Sequence, residues 1–268
     1  MREKKVCFTV ILLSFYIMAC TRKSATPHQK DALPPIVTSL EATISQYPDS
    51  AILYQQLVDT LVNLGAYRQA AGWADSAWNR SAGKAASWLL LKADMLRQAK
   101  AFDEAIAAYS NYLNTFPGNV DVVLNLASAL AEKGDSTALR ICTQIAANTP
   151  YPEDKAAAWY IAGLYHNVAK QYLQAIPCFD KAIALQYSFT EAWLEKGYSL
   201  YDAGQTADAI AHFRQLATLQ PSNAEAWYWL AKSFEALPQK DSAIKYYTRV
   251  IRLDASIAEA ADALQRLR

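Results

Sequence analysis

Residues 190–223 read TEAWLEKGYSLYDAGQTADAIAHFRQLATLQPSN, and the same pattern continues on both sides. Residues 156–189 (AAAWYIAGLYHNVAKQYLQAIPCFDKAIALQYSF) and 224–257 (AEAWYWLAKSFEALPQKDSAIKYYTRVIRLDASI) align with it without a gap. Trp159, Trp193 and Trp227 coincide, as do Gly163, Gly197 and Ala231; Ala175, Ala209 and Ala243; Phe179, Phe213 and Tyr247; and Leu185, Leu219 and Leu253. Small side chains at fixed slots let two helices approach closely, and aromatic slots fill the space between them. One such unit cannot bury its apolar face alone, so neighbouring units must stack.

The phase runs back with lapses. Segment 120–155 keeps Leu126, Ala127, Leu130, Gly134 and Pro150; segment 86–119 keeps Ala93, Phe102, Ala105, Tyr109 and Pro117; segment 51–85 keeps Tyr54, Leu57, Gly65, Tyr67, Ala70 and Ala74. The YPEDK stretch before Ala156 reads as a few added residues, and Pro48 and Pro221 stand in turn slots. Asp103, Ser136 and Asp241 precede second-helix runs, where a side-chain oxygen can cap free N–H groups.

This spacing resembles the tetratricopeptide repeat (TPR) motif. The resemblance implies an all-α solenoid, a right-handed superhelix of antiparallel helix pairs. About six repeats are expected, over 51–85, 86–119, 120–155, 156–189, 190–223 and 224–257, within a TPR domain of 35–268. A second helix alone is expected at IVTSLEATISQYPDS, and a capping helix at 258–268, where Ala261 replaces the tryptophan.

Composition agrees with a helical body. Hydrophobic residues make up 53% of the 268 residues, enough for a sizeable core, and only 8 glycines are present. Alanine loses no side-chain entropy in a helix, whereas glycine loses the most backbone entropy. A formal net charge of +1 leaves no basic footprint for nucleic acid.

The first residues read as an address. MREKK is basic, and the thirteen residues VCFTVILLSFYIM are uncharged. A spanning helix needs roughly 20 apolar residues, whereas a secretory signal needs about 7–15. Ile17-Met18-Ala19-Cys20 resembles the lipobox of bacterial lipoproteins. That resemblance implies a signal peptide over 1–19, acylation of Cys20 with fatty acids such as palmitate, and membrane anchorage. Residues 20–34 then form the lipidated N-terminus and a tether containing Pro27 and Pro34. Thr21 follows the cysteine where enterobacterial lipoproteins retained at the inner membrane carry Asp. The expected place is therefore the outer membrane, facing the periplasm.

The TPR resemblance implies a concave groove lined by first helices, suited to a protein or peptide segment. The expected groove residues are Tyr160, Leu164, Asn167, Leu194, Tyr198, Tyr201, Tyr228 and Lys232, with Glu235 beside them. Tyr160, Tyr198, Tyr201 and Tyr228 would form an aromatic strip, since tyrosine combines contact area with a polar tip. Upstream, the corresponding slots hold Gln55, Asp59, Leu90, Asp94, Leu124 and Ser128. These lack the basic clamp with which chaperone-binding TPR adaptors hold a C-terminal carboxylate.

Catalysis finds no constellation in the sequence. His28 lies in the tether, His166 at an inter-helix packing slot, and His212 is expected outward beside Phe213. No HExxH, GxSxG or Walker-type loop occurs. Cys142 and Cys178 remain after Cys7 and Cys20 are assigned; free buried thiols are expected, with a disulfide as the alternative. No cofactor, metal or small-molecule substrate is expected. The function expected is a lipid-anchored scaffold for protein–protein interaction in envelope-complex assembly. The alternatives are a self-assembling structural envelope protein, or an enzyme with a TPR body.

Overall fold

The computed structural model describes residues 34–268. The expected signal peptide, Cys20 and the tether up to residue 33 lie outside the described residues. The described residues form fourteen α-helices and no strand. A single helix, α1 (Pro35–Gln46), is followed by pairs: α2 (Ala51–Asn63) with α3 (Tyr67–Arg80), α4 (Ala86–Gln98) with α5 (Phe102–Thr115), and α6 (Val120–Lys133) with α7 (Thr137–Asn148). The series continues with α8 (Pro152–Val168) and α9 (Tyr172–Leu185), α10 (Thr190–Asp202) and α11 (Thr206–Leu219), and α12 (Ala224–Ala236) and α13 (Lys240–Leu253). It closes with α14 (Ala258–Leu267).

Each helix packs on the next. Beyond that, α4 touches α6, α6 touches α8, α8 touches α10, and α10 touches α12. From α4 to α12 the even-numbered helices therefore form the inner layer of an all-α solenoid of helix pairs, and the odd-numbered helices the outer layer.

The gapless segments show why the pairs close as they do. A Cβ built on Gly163 would stand 2.5 Å from the Phe179 ring, and one on Gly197 would stand 2.3 Å from Phe213. Both rings are fully buried. Glycine inside a helix costs roughly 0.5–1 kcal/mol relative to alanine, and here ring-on-backbone packing offsets it. The indole Nε1–H of Trp193 donates to the Tyr187 carbonyl at 2.9 Å, and that of Trp227 to the Pro221 carbonyl at 3.0 Å. Each bond ties a repeat to the turn before it.

Asn119 caps α6, accepting from the Asp121 and Val122 N–H groups, and Asn223 caps α12 through the Ala226 N–H. The expected caps are corrected. Ser136 makes no side-chain cap bond; Asp135 takes that role, accepting from the Thr137 N–H at 2.9 Å. Asp103 and Asp241 lie inside the first turns of α5 and α13. There a carboxylate is favoured by the helix dipole rather than by a capping bond. The YPEDK stretch is likewise mostly helical: α8 starts at Pro152 and carries Glu153 and Asp154 in its first turn. Proline is well suited to a first helical position, where its missing N–H would be unpaired anyway.

The turn within each pair uses one left-handed residue. Gly134 and Gly204 fill that slot with φ near +81° and +77°. Lys100 and Lys170 adopt it at +56° and +57°.

Two hydrophobic clusters form the core. One joins α1 to α6, with Leu57, Leu61 and Tyr109 fully or almost fully buried. The other runs from α6 to α14, with Phe179, Phe213 and Trp229 at its centre. Helix α6 contributes to both: Val122 and Ala129 face the first, Leu124 and Ala127 the second.

Candidate functional site

The inner layer displays a row of side chains in repeat register, and their surroundings differ along it. Near the N-terminus Gln55 Nε2 donates to Asp59 at 2.8 Å, and both are exposed. The Tyr109 hydroxyl donates to Asp94, whose burial raises its pKa. Arg97 pairs with Glu132 at 2.7 Å, and Ser128 donates to the same carboxylate at 3.1 Å. This half of the row is thus closed by internal partners.

In the C-terminal half the expected aromatic strip divides. Tyr160 and Tyr198 are buried rather than displayed. The Tyr160 ring lies 4.8 Å from Phe189 and 5.9 Å from Phe179. Tyr198 packs on Trp229 at 4.7 Å, and its hydroxyl donates to Glu225 Oε1 at 2.6 Å. Neighbouring repeats lean over both rings. Tyr201 and Tyr228 remain half-buried, with Leu164, Asn167, Leu194 and Lys232. The Lys232 ammonium lies over the Trp229 ring at 4.2 Å and the Tyr201 ring at 5.6 Å.

Glu195 is the residue that sequence reasoning passed over. Asn167 Nδ2 donates to Glu195 Oε2 at 3.0 Å, and Ser199 fixes Asn167 by donating to its Oδ1 at 2.8 Å. Burial pushes the Glu195 carboxyl up to about 7, and the charges of Glu225 and Asp202 push the same way; the Asn167 bond opposes them. The available signal was that Glu195 stands four residues after Glu191 on one helix face. Burial also raises Asp202, against the opposing charge of Lys232.

The two histidines among the described residues are held by internal partners. His212 is buried, correcting the outward placement expected of it. Its ring stacks on Trp193 at 5.0 Å and its Nε2–H donates to the Trp193 carbonyl at 2.7 Å. Burial lowers its pKa to about 4, so it is neutral near pH 7. His166 Nδ1 meets Gln171 Oε1 at 2.8 Å. Cys142 and Cys178 are free and buried, and burial pushes the Cys142 thiol up to about 12. A thiol so protonated is a poor nucleophile. No group of three His, Cys, Asp or Glu among the described residues is placed to hold a metal ion.

The comparisons with known proteins follow the same architecture. Residues 169–214 and 194–260 match the tetratricopeptide repeat family model. A curated relative, the anaphase-promoting complex subunit cut9 of Schizosaccharomyces pombe, is 30% identical over 123 residues, 46% of this chain. The chain spans 18% of that relative's length. Among solved structures, a tetratricopeptide repeat protein of Parabacteroides merdae matches with a TM-score of 0.62 at 14% identity, over 86% of this chain and 90% of that one. The APC/C hetero-tetramer Cut9–Hcn1 matches with a TM-score of 0.58 at 16% identity, over 86% of this chain and 46% of that one. At these identities the likeness concerns the fold.

Proposed function

We propose that this chain, built on tetratricopeptide repeats, is a lipid-anchored scaffold that holds partner proteins at the bacterial envelope. The observation that carries the reading is the inner layer. From α4 to α12 successive even-numbered helices pack side by side there and present one face. In the C-terminal half that face keeps Leu164, Asn167, Leu194, Tyr201, Tyr228 and Lys232 half-buried, with part of each side chain open to solvent. Such a face offers contact area and polar tips without a reaction centre, as protein-binding surfaces do. Anchorage is argued from Ile17–Cys20 and the short apolar run before it. A multiply acylated cysteine meets the requirement of more than one chain for stable attachment. The place proposed is the outer membrane, with the repeats facing the periplasm.

Two experiments test the two halves of the proposal. Cells fed an alkyne fatty acid should label the wild-type chain and not Cys20→Ala; equal labelling removes the anchor. Cross-linking followed by affinity purification should recover partners that Tyr201→Ala plus Tyr228→Ala loses. An unchanged partner set takes the C-terminal groove out of the reading.

A further inference from the structure

We propose that the N-terminal end of the solenoid docks an amphipathic α-helix of a partner protein, laid against α1 and α2 where a first helix would stand. Among the described residues α1 is a second helix with no first helix before it. Leu40 occupies the slot of Phe179 and Phe213, whose rings lie on Gly163 and Gly197 of their first helices. One turn earlier on the same side, the six helix pairs hold Ala70, Ala105, Ala138, Ala175, Ala209 and Ala243, all 0% exposed. In α1 that slot holds Ile36, which is 54% exposed. Leu40 and Thr43 beside it are half-buried, whereas Val37 and Ile44 are buried in the cluster shared with α2. Helix α2 supplies a second wall. On α10, Glu195 and Ser199 face the preceding first helix through Asn167 of α8. The same slots of α2 hold Gln56 and Thr60, and one turn before them Ile52 is 70% exposed.

Single exposed isoleucines are ordinary on a protein surface. Ile36 differs because every helix pair in this chain covers its slot with a first helix. The chain therefore shows six times over what these slots receive: a helix of three to four turns, antiparallel to its partner. The docked helix is apolar towards Ile36, Leu40 and Ile52 and polar towards Gln56 and Thr60, as Asn167 is towards Glu195 and Ser199. Helix-in-groove recognition uses such anchors at i, i+3, i+4 and i+7. The chain's own upstream residues do not match that pattern. In register, TRKSATPHQKDAL (21–33) would set Pro27 inside the helix, where proline removes a hydrogen bond and clashes with the preceding turn. The other end of a second copy does not match either. Helix α14 is a first helix with no second helix after it among the described residues, and its facing slots hold Ala261 and Gln265, both exposed. Docked on α1, it would press the Gln265 amide against Leu40, at a desolvation cost. A polar face closes a solenoid end; the N-terminal end, with an isoleucine exposed on each wall, is built the opposite way.

The test is fluorescence anisotropy with the full chain in detergent. The probe is a labelled peptide of residues 152–169, PEDKAAAWYIAGLYHNVA, the chain's own α8. It carries Gly163 for the Leu40 slot and Asn167 for the polar wall. It should bind at least about tenfold tighter than a peptide of the same composition in scrambled order. Ile36→Asp with Ile52→Asp should weaken it about tenfold. Leu173→Asp, which alters a 62% exposed apolar residue of α9, should leave binding unchanged. Thermal melts of all variants check that the repeats stay folded. Equal binding of the ordered and scrambled peptides overturns the proposal. So does an equal loss in Leu173→Asp and the Asp pair, or no loss in either. Sedimentation velocity without peptide should show no self-association through this end; a dimer that the Asp pair dissolves makes a second copy the occupant and overturns it. If the peptide binds only after residues 21–33 are deleted, the chain covers its own notch and the partner helix falls.

Discussion

The two halves of the solenoid solve one packing problem with different pairs of residues. A slot on the first helix faces a slot on the second. In the C-terminal half the pairs are Gly163 with Phe179, Gly197 with Phe213 and Ala231 with Tyr247. In the N-terminal half the same slots hold Val58 with Ala74, Ala93 with Tyr109 and Ala127 with Cys142, all buried. Where the outer helix supplies a large ring, the inner residue is glycine or alanine. Where the outer residue is small, the inner one keeps a methyl or more. A large ring on the outer helix is thus met only by glycine or alanine on the inner one, as close packing requires.

The strongest way to break that comparison is to overfill one slot. Gly197→Val should destabilise the chain by about 3 kcal/mol, because the added atoms meet the Phe213 ring. Phe213→Ala alone should cost about 4 kcal/mol. The double variant should lose clearly less than the sum of the two, read from urea unfolding. Strict additivity would show that the pair does not share one volume.

The next effect is pH dependence, carried by two groups of the C-terminal half with opposite signs. Glu195 has a folded pKa near 7, above its ordinary value. Its stabilising contribution is present below the ordinary carboxylate range and is lost as pH rises through about 7. Glu195→Gln should therefore gain about 2 kcal/mol at pH 8 and little at pH 4. His212 is lowered to about 4. Its contribution is present above the ordinary imidazole value and is lost as pH falls through about 4. His212→Leu should flatten the acid side of the stability profile between about pH 6.5 and 4. Profiles unchanged in both variants would remove these two groups as a source of the pH dependence.

Smaller effects sharpen the picture. Tyr109→Phe strips the half-buried Asp94 of its hydroxyl donor in the N-terminal half, at about 1–2 kcal/mol by denaturant melting. Lys170→Gly relieves a left-handed turn residue and should stabilise by about 0.5–1 kcal/mol. A loss of stability there would show that the Lys170 side chain contributes more than its backbone strain costs.

Much of the fold was legible because repetition averages out local ambiguity. Trp159, Trp193 and Trp227 in one register announce helix pairs more firmly than any single propensity. The site was legible only as a face. Tyr160 and Tyr201 look alike in the motif, yet one is covered by Phe189 and the other is left half-open. That outcome depends on how repeats lean on each other, which spacing does not encode. Glu195 was missed for the same reason. Its distinction lies in Asn167 and in the surrounding carboxylates of other helices. His212 was misplaced because its partner, Trp193, belongs to the helix before it.

The stacked rings of the C-terminal half have an optical consequence. Trp227, Tyr246 and Phe234 lie nearly parallel, at 21° and 15° with centroids 5.7 and 5.4 Å apart, and Arg249 covers the outer Trp227 face at 3.9 Å. The aromatic pairs between α2 and the end of α5 are tilted or edge-on, at 48° to 81°. Rings held at such separations couple their transitions wherever those transitions are skewed to one another, so near-ultraviolet circular dichroism should report on the last repeats. The molecule then carries an intrinsic spectroscopic reporter of one end, readable without a label while the other end frays.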